Sequence, residues 1–366
     1  MKKKLLAIIM CMIMVLTTGC GNNGMMVLTP EGDMVIQEDG TTSGTGSAST
    51  KKEKEDAPAA AEKKDNNTSG LIRVGFAQVG AESGWRLAQT QSMKDTFTEK
   101  NGYQFDFVDC NNNSKAQIEA VAGFIKDGVQ YIILDPIVEK GYDDVLKDAK
   151  KAGIPVIVVD RNISADSSLY TCWVGSDFTK EGTDAANWLV DYLKKEKRDS
   201  EEINILTILG SDGASATTGR TKGFEDVAKR QSNWKMLDKQ SGDFTKDGGN
   251  AVMKAFLGKY DDIDVVVCQN DDEAFGAIEA IKEAGKTCGP KGDIIIISFD
   301  ATGDGFQAMI DGDINVDVEC NPLEGPFVAQ LIQKLEKGEK IDEIQYMNEG
   351  VFPAEEAEKT LPSRAY

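Results

Sequence analysis

Residues 72–86 of this chain of 366 residues read IRVGFAQVGAESGWR. The first six residues form a short apolar run typical of a buried strand, and a loop with glycines and a helix-like segment follow. Strand, glycine loop and helix in this order open the βαβ units of nucleotide-binding folds. The glycine spacing is not G-x-G-x-x-G, however, and the bulky Trp85 and Arg86 stand where such a loop would approach a phosphate. The stretch therefore predicts an α/β fold whose first loop is not a phosphate cradle.

Strand-like and helix-like runs alternate along the chain outside this stretch as well. The short β-rich runs are IRVGFA, YQFDFV, VQYIIL, IPVIVV, INILTIL, DVVVC and IIIISF. Residues 114–128 and 271–285 place apolar side chains at intervals of three and four and close on a glycine, as amphipathic helices do. Alternating βαβ units with continuous apolar strands are typical of parallel sheets that helices cover on both faces. Because these strands are more than a single sheet readily holds, we predict two doubly wound parallel-sheet lobes.

The charge balance and the absence of histidine exclude several classes of function. The chain has 41 Lys and Arg against 61 Asp and Glu, a net charge of −20, and no histidine. Such a charge disfavours nucleic acid as a partner. The lack of histidine removes the commonest general base, the usual catalytic triads and most zinc sites. We therefore predict no catalytic residues, no metal and no cofactor.

The N-terminal region reads as an export signal followed by a tether. Residues 1–20, MKKKLLAIIMCMIMVLTTGC, contain three lysines and then an apolar run that is too short to span a bilayer. The run ends near Cys20 in a sequence that resembles the lipobox of bacterial lipoproteins, which predicts an extracytoplasmic protein anchored to the membrane only by a lipidated Cys20. The alternatives are an ordinary cleaved signal and an uncleaved anchor. Residues 21–70 are rich in Gly, Ser, Thr, Lys and Glu, so we predict a disordered linker there.

The cysteines beyond the signal do not form a recognisable framework. There are five of them, with no C-x-x-C spacing: Cys110, Cys172, Cys268, Cys288 and Cys320. Most lie in apolar runs and are interpreted as small buried hydrophobic residues. One disulfide among them remains open.

Polar side chains follow five of the apolar strands. They are Gln78, Asp135, Asp160 with Arg161, Asn270 and Asp300. Each alone fits a helix cap or a turn, but ligands of open parallel sheets bind outside the carboxyl ends of the strands. Five such positions, drawn from both halves of the chain, predict a ligand-binding cleft.

The chemistry of these side chains suits a sugar. Carboxylate, guanidinium and amide groups match the hydroxyl groups of a sugar ring, and an aromatic ring suits its apolar face. We predict Trp85 as this platform, with Glu82 and Arg86 as flanking hydroxyl partners. The alternative is that Trp85 packs into the helix core and Arg86 is solvated. We also expect that Arg86→Ala leaves the unliganded melting temperature nearly unchanged.

The chain resembles the sugar-binding proteins of bacterial ABC importers, the periplasmic-binding type I family, and within it the galactofuranose-binding type. The segments that carry the resemblance are VGFAQVGAESGWR, GIPVIVVDR, QSGDFTKDGGNAVM, QNDDEAFGAIEAIKEAG and SFDA. The resemblance spans about Ile72 to Phe352. It implies two lobes joined by three hinge crossings, which close over one monosaccharide, and a monomer that delivers this sugar to an ABC transporter permease. The implied lobes are 71–175 with 321–349, and 176–320 with 350–366.

The resemblance adds Arg220 and Phe244 of the second lobe to the site. The predicted substrate-binding residues are then Gln78, Glu82, Trp85, Arg86, Asp135, Asp160, Arg161, Arg220, Phe244, Asn270 and Asp300. Asp135 and the pair Cys320–Asn321 depart from the galactofuranose type, so the identity of the sugar, furanose or pyranose, stays open. Two alternatives also stay open: a receptor subunit that presents its sugar to a sensor kinase, and a carbohydrate-active hydrolase that uses Glu82 and Asp300 as its acid pair.

Overall fold

The computed structural model describes residues 25–28, 34–37 and 70–366. An N-terminal unit, Met1–Ala60, contains the strands β1 (Met25–Leu28) and β2 (Met34–Gln37), which pair antiparallel. The predicted signal at 1–20, with Cys20, lies outside the described residues, as does the predicted linker at 21–70 apart from these two strands and its last residue. All other elements belong to the unit Ala61–Tyr366.

This larger unit alternates strands and helices. Its first half contains β3 (Ile72–Gln78), α1 (Gly84–Thr96), β4 (Tyr103–Asp109), α2 (Ser114–Asp127), β5 (Tyr131–Leu134), α3 (Asp143–Lys151), β6 (Val156–Val159), β7 (Cys172–Gly175), α4 (Phe178–Lys195), β8 (Ile203–Leu209) and α5 (Ser215–Ala228). Its second half contains β9 (Trp234–Ser241), α6 (Lys246–Lys259), β10 (Val265–Cys268), α7 (Asp271–Glu283), β11 (Ile295–Asp300), α8 (Gly303–Asp311), β12 (Val316–Glu319), α9 (Glu324–Glu336), β13 (Ile344–Tyr346), β14 (Val351–Pro353) and α10 (Ala354–Thr360).

The strands form two six-stranded sheets, which confirms the predicted pair of doubly wound lobes. The first lobe contains the sheet β13-β7-β6-β5-β3-β4, in which every pairing is parallel. The second lobe contains the sheet β14-β12-β11-β10-β8-β9, which is parallel except where β14 pairs with β12. The chain crosses between the lobes three times, after β7, after β12 and after β13.

The strands are continuous apolar runs because helices cover both faces of each sheet. Successive side chains of a strand point to opposite faces. Accordingly Ile132 and Leu134 of β5 pack into one apolar cluster, and Tyr131 and Ile133 pack into another on the opposite face. In the second lobe the residues of β10 divide between two clusters in the same way.

The seven predicted apolar runs all contain strands, and the two predicted helices are α2 and α7. The side chain of Asn113 accepts from the backbone of α2 at its start, and Gly128 ends the helix in the left-handed conformation at φ 67°. The edge strands β9 and β13 were missed because they are polar and largely exposed. Four-residue β7 and three-residue β14 were also missed.

Two further observations concern the cysteines and the apolar character of the helices that the structure describes. The five cysteines after the signal are buried and unbonded to one another, which supports their interpretation as small hydrophobic residues and excludes a disulfide among them. Among the helices that the structure describes, none combines the length and apolar character needed to cross a bilayer.

Candidate ligand-binding site

A cavity of about 30 Å³ lies between the lobes, at the carboxyl ends of strands from both sheets. The first lobe and the crossing after β12 contribute Glu82, Ser83, Trp85, Arg86, Asp160, Arg161 and Cys320, and the second lobe contributes Ala216, Arg220, Phe244, Asn270 and Asp300. This volume holds no more than a few water molecules and is far below that of small-molecule pockets, about 300–1,000 Å³, so the lining side chains nearly fill the space between the lobes. The structure thus brings nine of the eleven predicted residues together around one cavity.

The guanidinium of Arg86 is the centre of the ion-pair network on the first lobe. Its Nε donates to Glu82 Oε1 at 3.0 Å, and its Nη2 lies 2.8 Å from Asp160 Oδ2. Its Nη1 donates to Asp135 Oδ2 at 2.5 Å and to Gln89 Oε1 at 2.8 Å. Arg86 is buried and these contacts use all three nitrogens, so its orientation is fixed before any ligand binds.

The network sets the protonation of its members. Burial lowers the pKa of Arg86, but the charges of Asp135, Glu82 and Asp160 more than offset this, so its pKa lies well above the ordinary value. Burial also raises the pKa of Glu82, but Arg86 and Arg161 outweigh it, and the net pKa is lowered. Glu82 is therefore a carboxylate at neutral pH. The alternative of a solvated Arg86 is wrong, and the expectation that Arg86→Ala leaves stability unchanged loses its basis.

Arg161 extends this network towards the second lobe. Its Nη2 donates to Glu82 Oε1 at 3.3 Å and its Nη1 to the Ile137 carbonyl at 3.3 Å. Its Cζ lies 5.4 Å from the centre of the Phe244 ring, within the range of a cation–π contact. Since Phe244 belongs to the second lobe, this contact spans the cavity.

Arg220 has the corresponding role on the second lobe. Its Nε donates to Glu181 Oε2 at 2.6 Å, its Nη2 lies 3.5 Å from Asp300 Oδ1, and its Nη1 donates to the Gln269 carbonyl. Burial raises the pKa of Asp300 well above its usual range, although the charge of Arg220 opposes this. The cavity therefore presents guanidinium and carboxyl groups from both lobes.

Three lining residues have a backbone conformation that residues other than glycine rarely adopt. The φ angles are 54° at Asp160, 57° at Phe244 and 107° at Asp300. Buried carboxyl groups hold two of these positions: Glu324 Oε1 accepts from Asp160 N, and Glu273 Oε1 accepts from Phe244 N, each at 3.0 Å. Such conformations persist only where the surroundings enforce them, and they cluster at binding sites.

Trp85 and Asn270 combine a structural role with their position in the lining. Trp85 packs in the apolar core of the first lobe, and its Nε1 donates to the Cys320 carbonyl at 2.6 Å. Asn270 caps α7 by accepting from Glu273 N at 2.8 Å, and its Nδ2 donates to the Phe244 carbonyl at 3.1 Å. Both residues therefore stabilise the fold and also line the cavity.

Two predicted site residues do not line the cavity. Gln78 is fully buried, and its Nε2 donates to Gln89 Oε1 at 2.9 Å and to Thr90 Oγ1 at 2.8 Å. Asp135 is also fully buried, and it reaches the cavity only through Arg86. The structure therefore corrects both predictions, because these side chains are committed to the network behind the lining.

Several residues of the site were missed from the sequence. Ser83, Ala216 and Cys320 contribute to the lining, while Glu181 and Glu324 hold the lining residues from behind. Glu181 is 39 residues from Arg220, and Glu324 is 164 residues from Asp160. No local signal marks them, since acidic residues in the first turn of a helix are ordinary. Ser83 adjoins Glu82 and could have been inferred from its neighbour, whereas Cys320 was noted only as a departure from the galactofuranose type.

Hydrogen bonds join the two lobes next to the cavity. Gly84 N donates to Asp272 Oδ2 at 2.9 Å, and Asn162 N donates to Ser215 Oγ at 2.7 Å. Gly84 and Asn162 belong to the first lobe, and their partners begin helices of the second. The conformation is therefore one in which the lobes are in contact.

The three crossings meet at the carboxyl group of Glu349. Its Oε1 accepts from Ser176 Oγ of the first crossing and, at 3.0 Å, from Asn321 N of the second. Burial and the charge of Glu181 raise the pKa of Glu349 to about 9, so it is protonated at neutral pH. Oxygen and sulfur atoms of Glu181, Cys320 and Glu349 lie within 4.8 Å of one another, and one oxygen of each acid already accepts hydrogen bonds. We interpret the group as hinge packing.

Comparison with known proteins identifies the fold family. Residues 74–340 match the periplasmic binding protein domain. The chain belongs to this family. A galactofuranose-binding protein of Escherichia coli (strain K12) is 37% identical over 300 residues, which cover 80% of this chain and 91% of that protein.

Two solved structures show the same two-lobed architecture. One, from Mycobacterium smegmatis in complex with β-D-fucofuranose, is 42% identical with a TM-score of 0.76 and covers 80% of this chain and 94% of its own. The other is the binding protein of the arabinose ABC transporter from Shewanella sp. ANA-3, bound to α- and β-L-arabinofuranose. It is 38% identical with a TM-score of 0.75, and the alignment covers 80% of this chain and 95% of that one.

Members of this family bind solutes without converting them chemically. The chain is accordingly a solute-binding protein and not an enzyme, as the sequence predicted. This excludes the carbohydrate-active hydrolase, in which Glu82 and Asp300 would be the acid pair for glycoside cleavage. The family is periplasmic, which agrees with the predicted extracytoplasmic location.

Proposed function

We propose that this protein captures a neutral monosaccharide in its furanose form between the two lobes and delivers it to an ABC transporter permease. The observation that carries the proposal is the set of guanidinium and carboxyl groups from both lobes that line one cavity. The buried Glu82 Oε2 has no hydrogen-bond partner among the described residues. A buried acceptor without a partner is costly, and a ligand hydroxyl group would supply the missing donor.

The charges of the site favour a neutral ligand over an anionic one. Three guanidinium groups, of Arg86, Arg161 and Arg220, line the cavity. Their surroundings are rich in acids, because Glu82, Asp160 and Asp300 line the same cavity and Asp135 and Glu181 pair with two of the arginines from behind. A phosphate or a uronic acid would add a further negative charge to this low-dielectric site, at a cost that hydroxyl groups do not incur.

The relatives support a furanose in particular. The two solved structures contain β-D-fucofuranose and L-arabinofuranose, and the Escherichia coli relative is a galactofuranose-binding protein. The predicted lobes comprise residues 71–175 with 321–349 and residues 176–320 with 350–366. We expect them to close over this sugar, and we expect the protein to be a monomer. The same capture would serve a sensor kinase equally well. Transport is preferred because the arabinose relative is named as the periplasmic binding protein component of an ABC transporter.

The first prediction concerns the class and the ring form of the ligand. We expect D-galactose, D-fucose or L-arabinose to stabilise the protein by about 2.7 kcal/mol at a hundredfold excess over its Kd, as measured by thermal unfolding. With sugar labelled with ¹³C at the anomeric carbon, the bound signal should have the chemical shift of a furanose. Galactitol, which cannot form a ring, is the matched control. A response to nucleotides, amino acids or sugar phosphates alone would contradict the proposal, and a bound pyranose would contradict only the ring form.

The second prediction concerns the membrane anchor. We propose that Cys20 is lipidated after removal of residues 1–19, and that this lipid is the only membrane attachment. Cys20→Ala should move the protein from the membrane fraction to the soluble fraction or leave it unprocessed, and labelled palmitate should no longer be incorporated. Cys11→Ala, a change within the same apolar run, is the control and should keep both properties. Palmitate incorporation by Cys20→Ala would contradict the lipoprotein assignment.

A further inference from the structure

Two buried carboxyl groups are neighbours beneath the turn that contains Asp300. Asp271 is the first residue of α7, Asp317 lies in β12, and both are almost completely inaccessible to solvent. Their Oδ2 atoms lie within about 5 Å of each other, because both approach the same point at Gly305 of α8. At Gly305 of α8, an added Cβ would lie 2.4 Å from Asp271 Oδ2 and 2.5 Å from Asp317 Oδ2. The pair therefore requires glycine at this position.

The donors around the pair leave one oxygen unsatisfied. Ser298 Oγ donates to Asp271 Oδ1 at 2.6 Å, and the backbone N and Oγ1 of Thr302 donate to Asp271 Oδ2 at 2.9 and 2.6 Å. Ala301 N donates to Asp317 Oδ1 at 3.0 Å. Asp317 Oδ2 has no donor in the part of the chain that the structure describes. A proton on this oxygen would make it a donor to Asp271.

The charged groups that surround the pair do not neutralise it. Asp300 of β11 and Asp272 of α7 are themselves acidic. The two guanidinium groups near the turn are engaged elsewhere, Arg220 with Glu181 and Asp300, and Arg364 with Glu319. Two adjacent carboxylates without a cation cannot both be ionised in a buried site.

We propose that Asp271 and Asp317 share one proton and that this acid pair positions Asp300 for the ligand. The turn that the pair holds has φ angles of 107° at Asp300 and 56° at Ala301, both unusual for residues with a Cβ. The backbone N–H groups that follow Asp300 donate to the pair, at Ala301 and at Thr302. The pair thus fixes the direction in which the Asp300 carboxyl group enters the cavity. This positioning role rests on the proposed sugar-binding function, whereas the shared proton does not.

The sign of the pH dependence follows from the shared proton. Burial raises the pKa of Asp317 well above its usual range, and the charge of Asp271 raises it further. Below the ordinary carboxyl pKa, both the folded and the unfolded chain bind this proton. At higher pH the unfolded chain releases it while the folded chain keeps it, so stability falls with rising pH until the folded pKa is passed.

The first test compares the unfolding of wild type and Asp317→Asn without sugar. Asparagine can accept from Ala301 N and donate to Asp271 without a titrating proton. Between about pH 5 and pH 8, the folding equilibrium constant of wild type should fall relative to that of Asp317→Asn by up to about tenfold per pH unit. Asp311→Asn, at an exposed acid of α8, should run parallel to wild type. Parallel curves for wild type and Asp317→Asn would show that Asp317 is ionised in the folded protein and would overturn the shared proton.

The second test separates positioning from stability with a double-mutant cycle on sugar binding. The Kd of each variant for D-galactose, D-fucose and L-arabinose is measured by calorimetry. The Kd of Asp317→Asn should be close to that of wild type, and the Kd of Asp317→Val should be higher by about tenfold or more. In the Asp300→Ala background, Asp317→Val should cause no further loss, because the two residues act through the same contact. Equal losses in both backgrounds, or unchanged binding by folded Asp317→Val, would overturn the positioning role. If none of the three sugars binds wild type, the proposed ligand class fails while the unfolding comparison still decides the shared proton.

Discussion

Replacing Arg86 with alanine is expected to weaken sugar binding at least about a hundredfold and to lower the free energy of unfolding by about 3–5 kcal/mol. The loss of stability arises because three carboxyl groups, of Glu82, Asp135 and Asp160, would remain buried without their common cation. Asp135 is fully buried and one of its oxygens already has no partner among the described residues. Calorimetric titration measures the effect on sugar binding, and chemical denaturation without sugar measures the effect on stability.

The matched control for this prediction is Arg73→Ala. Arg73 also pairs with an aspartate, Asp106, at 3.2 Å, but both side chains are partly exposed. Partly exposed ion pairs contribute about 0–1 kcal/mol, so this variant should unfold nearly like wild type and bind sugar normally. Arg86→Lys should recover only part of the loss, because an ammonium group cannot donate in the planar geometry that three acceptors share. Equal stability of the Arg86→Ala and Arg73→Ala variants would contradict the assigned network.

The second large effect is expected for Trp85→Ala, which should lower the free energy of unfolding by about 3–5 kcal/mol and weaken sugar binding at least tenfold. Trp85 is 4% exposed and packs in the core of the first lobe, so its removal leaves a cavity. The ring also supports the guanidinium of Arg86, whose Cζ lies 4.7 Å from the ring centre. Its loss should therefore affect the ligand both directly and through Arg86.

Trp85→Phe isolates the indole N–H from the bulk of the ring. This variant keeps an aromatic side chain but leaves the Cys320 carbonyl without the donor that lies 2.6 Å away. We expect a cost of about 1–3 kcal/mol, because a buried acceptor loses its partner. Trp188→Phe is the control, since Trp188 stacks on Tyr192 at the surface of α4 and is only partly buried. If Trp85→Phe and Trp188→Phe cost the same, the bond to the crossing contributes nothing to stability.

The site was predictable to the extent that its residues lie at strand ends. Asp160, Asn270 and Asp300 follow long apolar runs, and the carboxyl ends of parallel strands converge on one edge of a sheet. Gln78 follows the same rule and still does not line the cavity, because its side chain turns back towards Gln89 in α1. Position along a strand gives the edge of the sheet but not the direction of the side chain.

The sequence by itself determined the βαβ alternation, the two sheets and the polar character of the cleft, because hydrophobic periodicity and strand ends are local features that follow from a few neighbouring residues. Only the tertiary structure decided which acid neutralises which arginine. Asp135 and Asp160 meet on Arg86, and Asp317 reaches Asp271 from 46 positions away along the chain, through the folding of separate strands. The energy of a buried charge depends on its distance to every other charge and on its loss of water, and both are fixed only when the two sheets have formed.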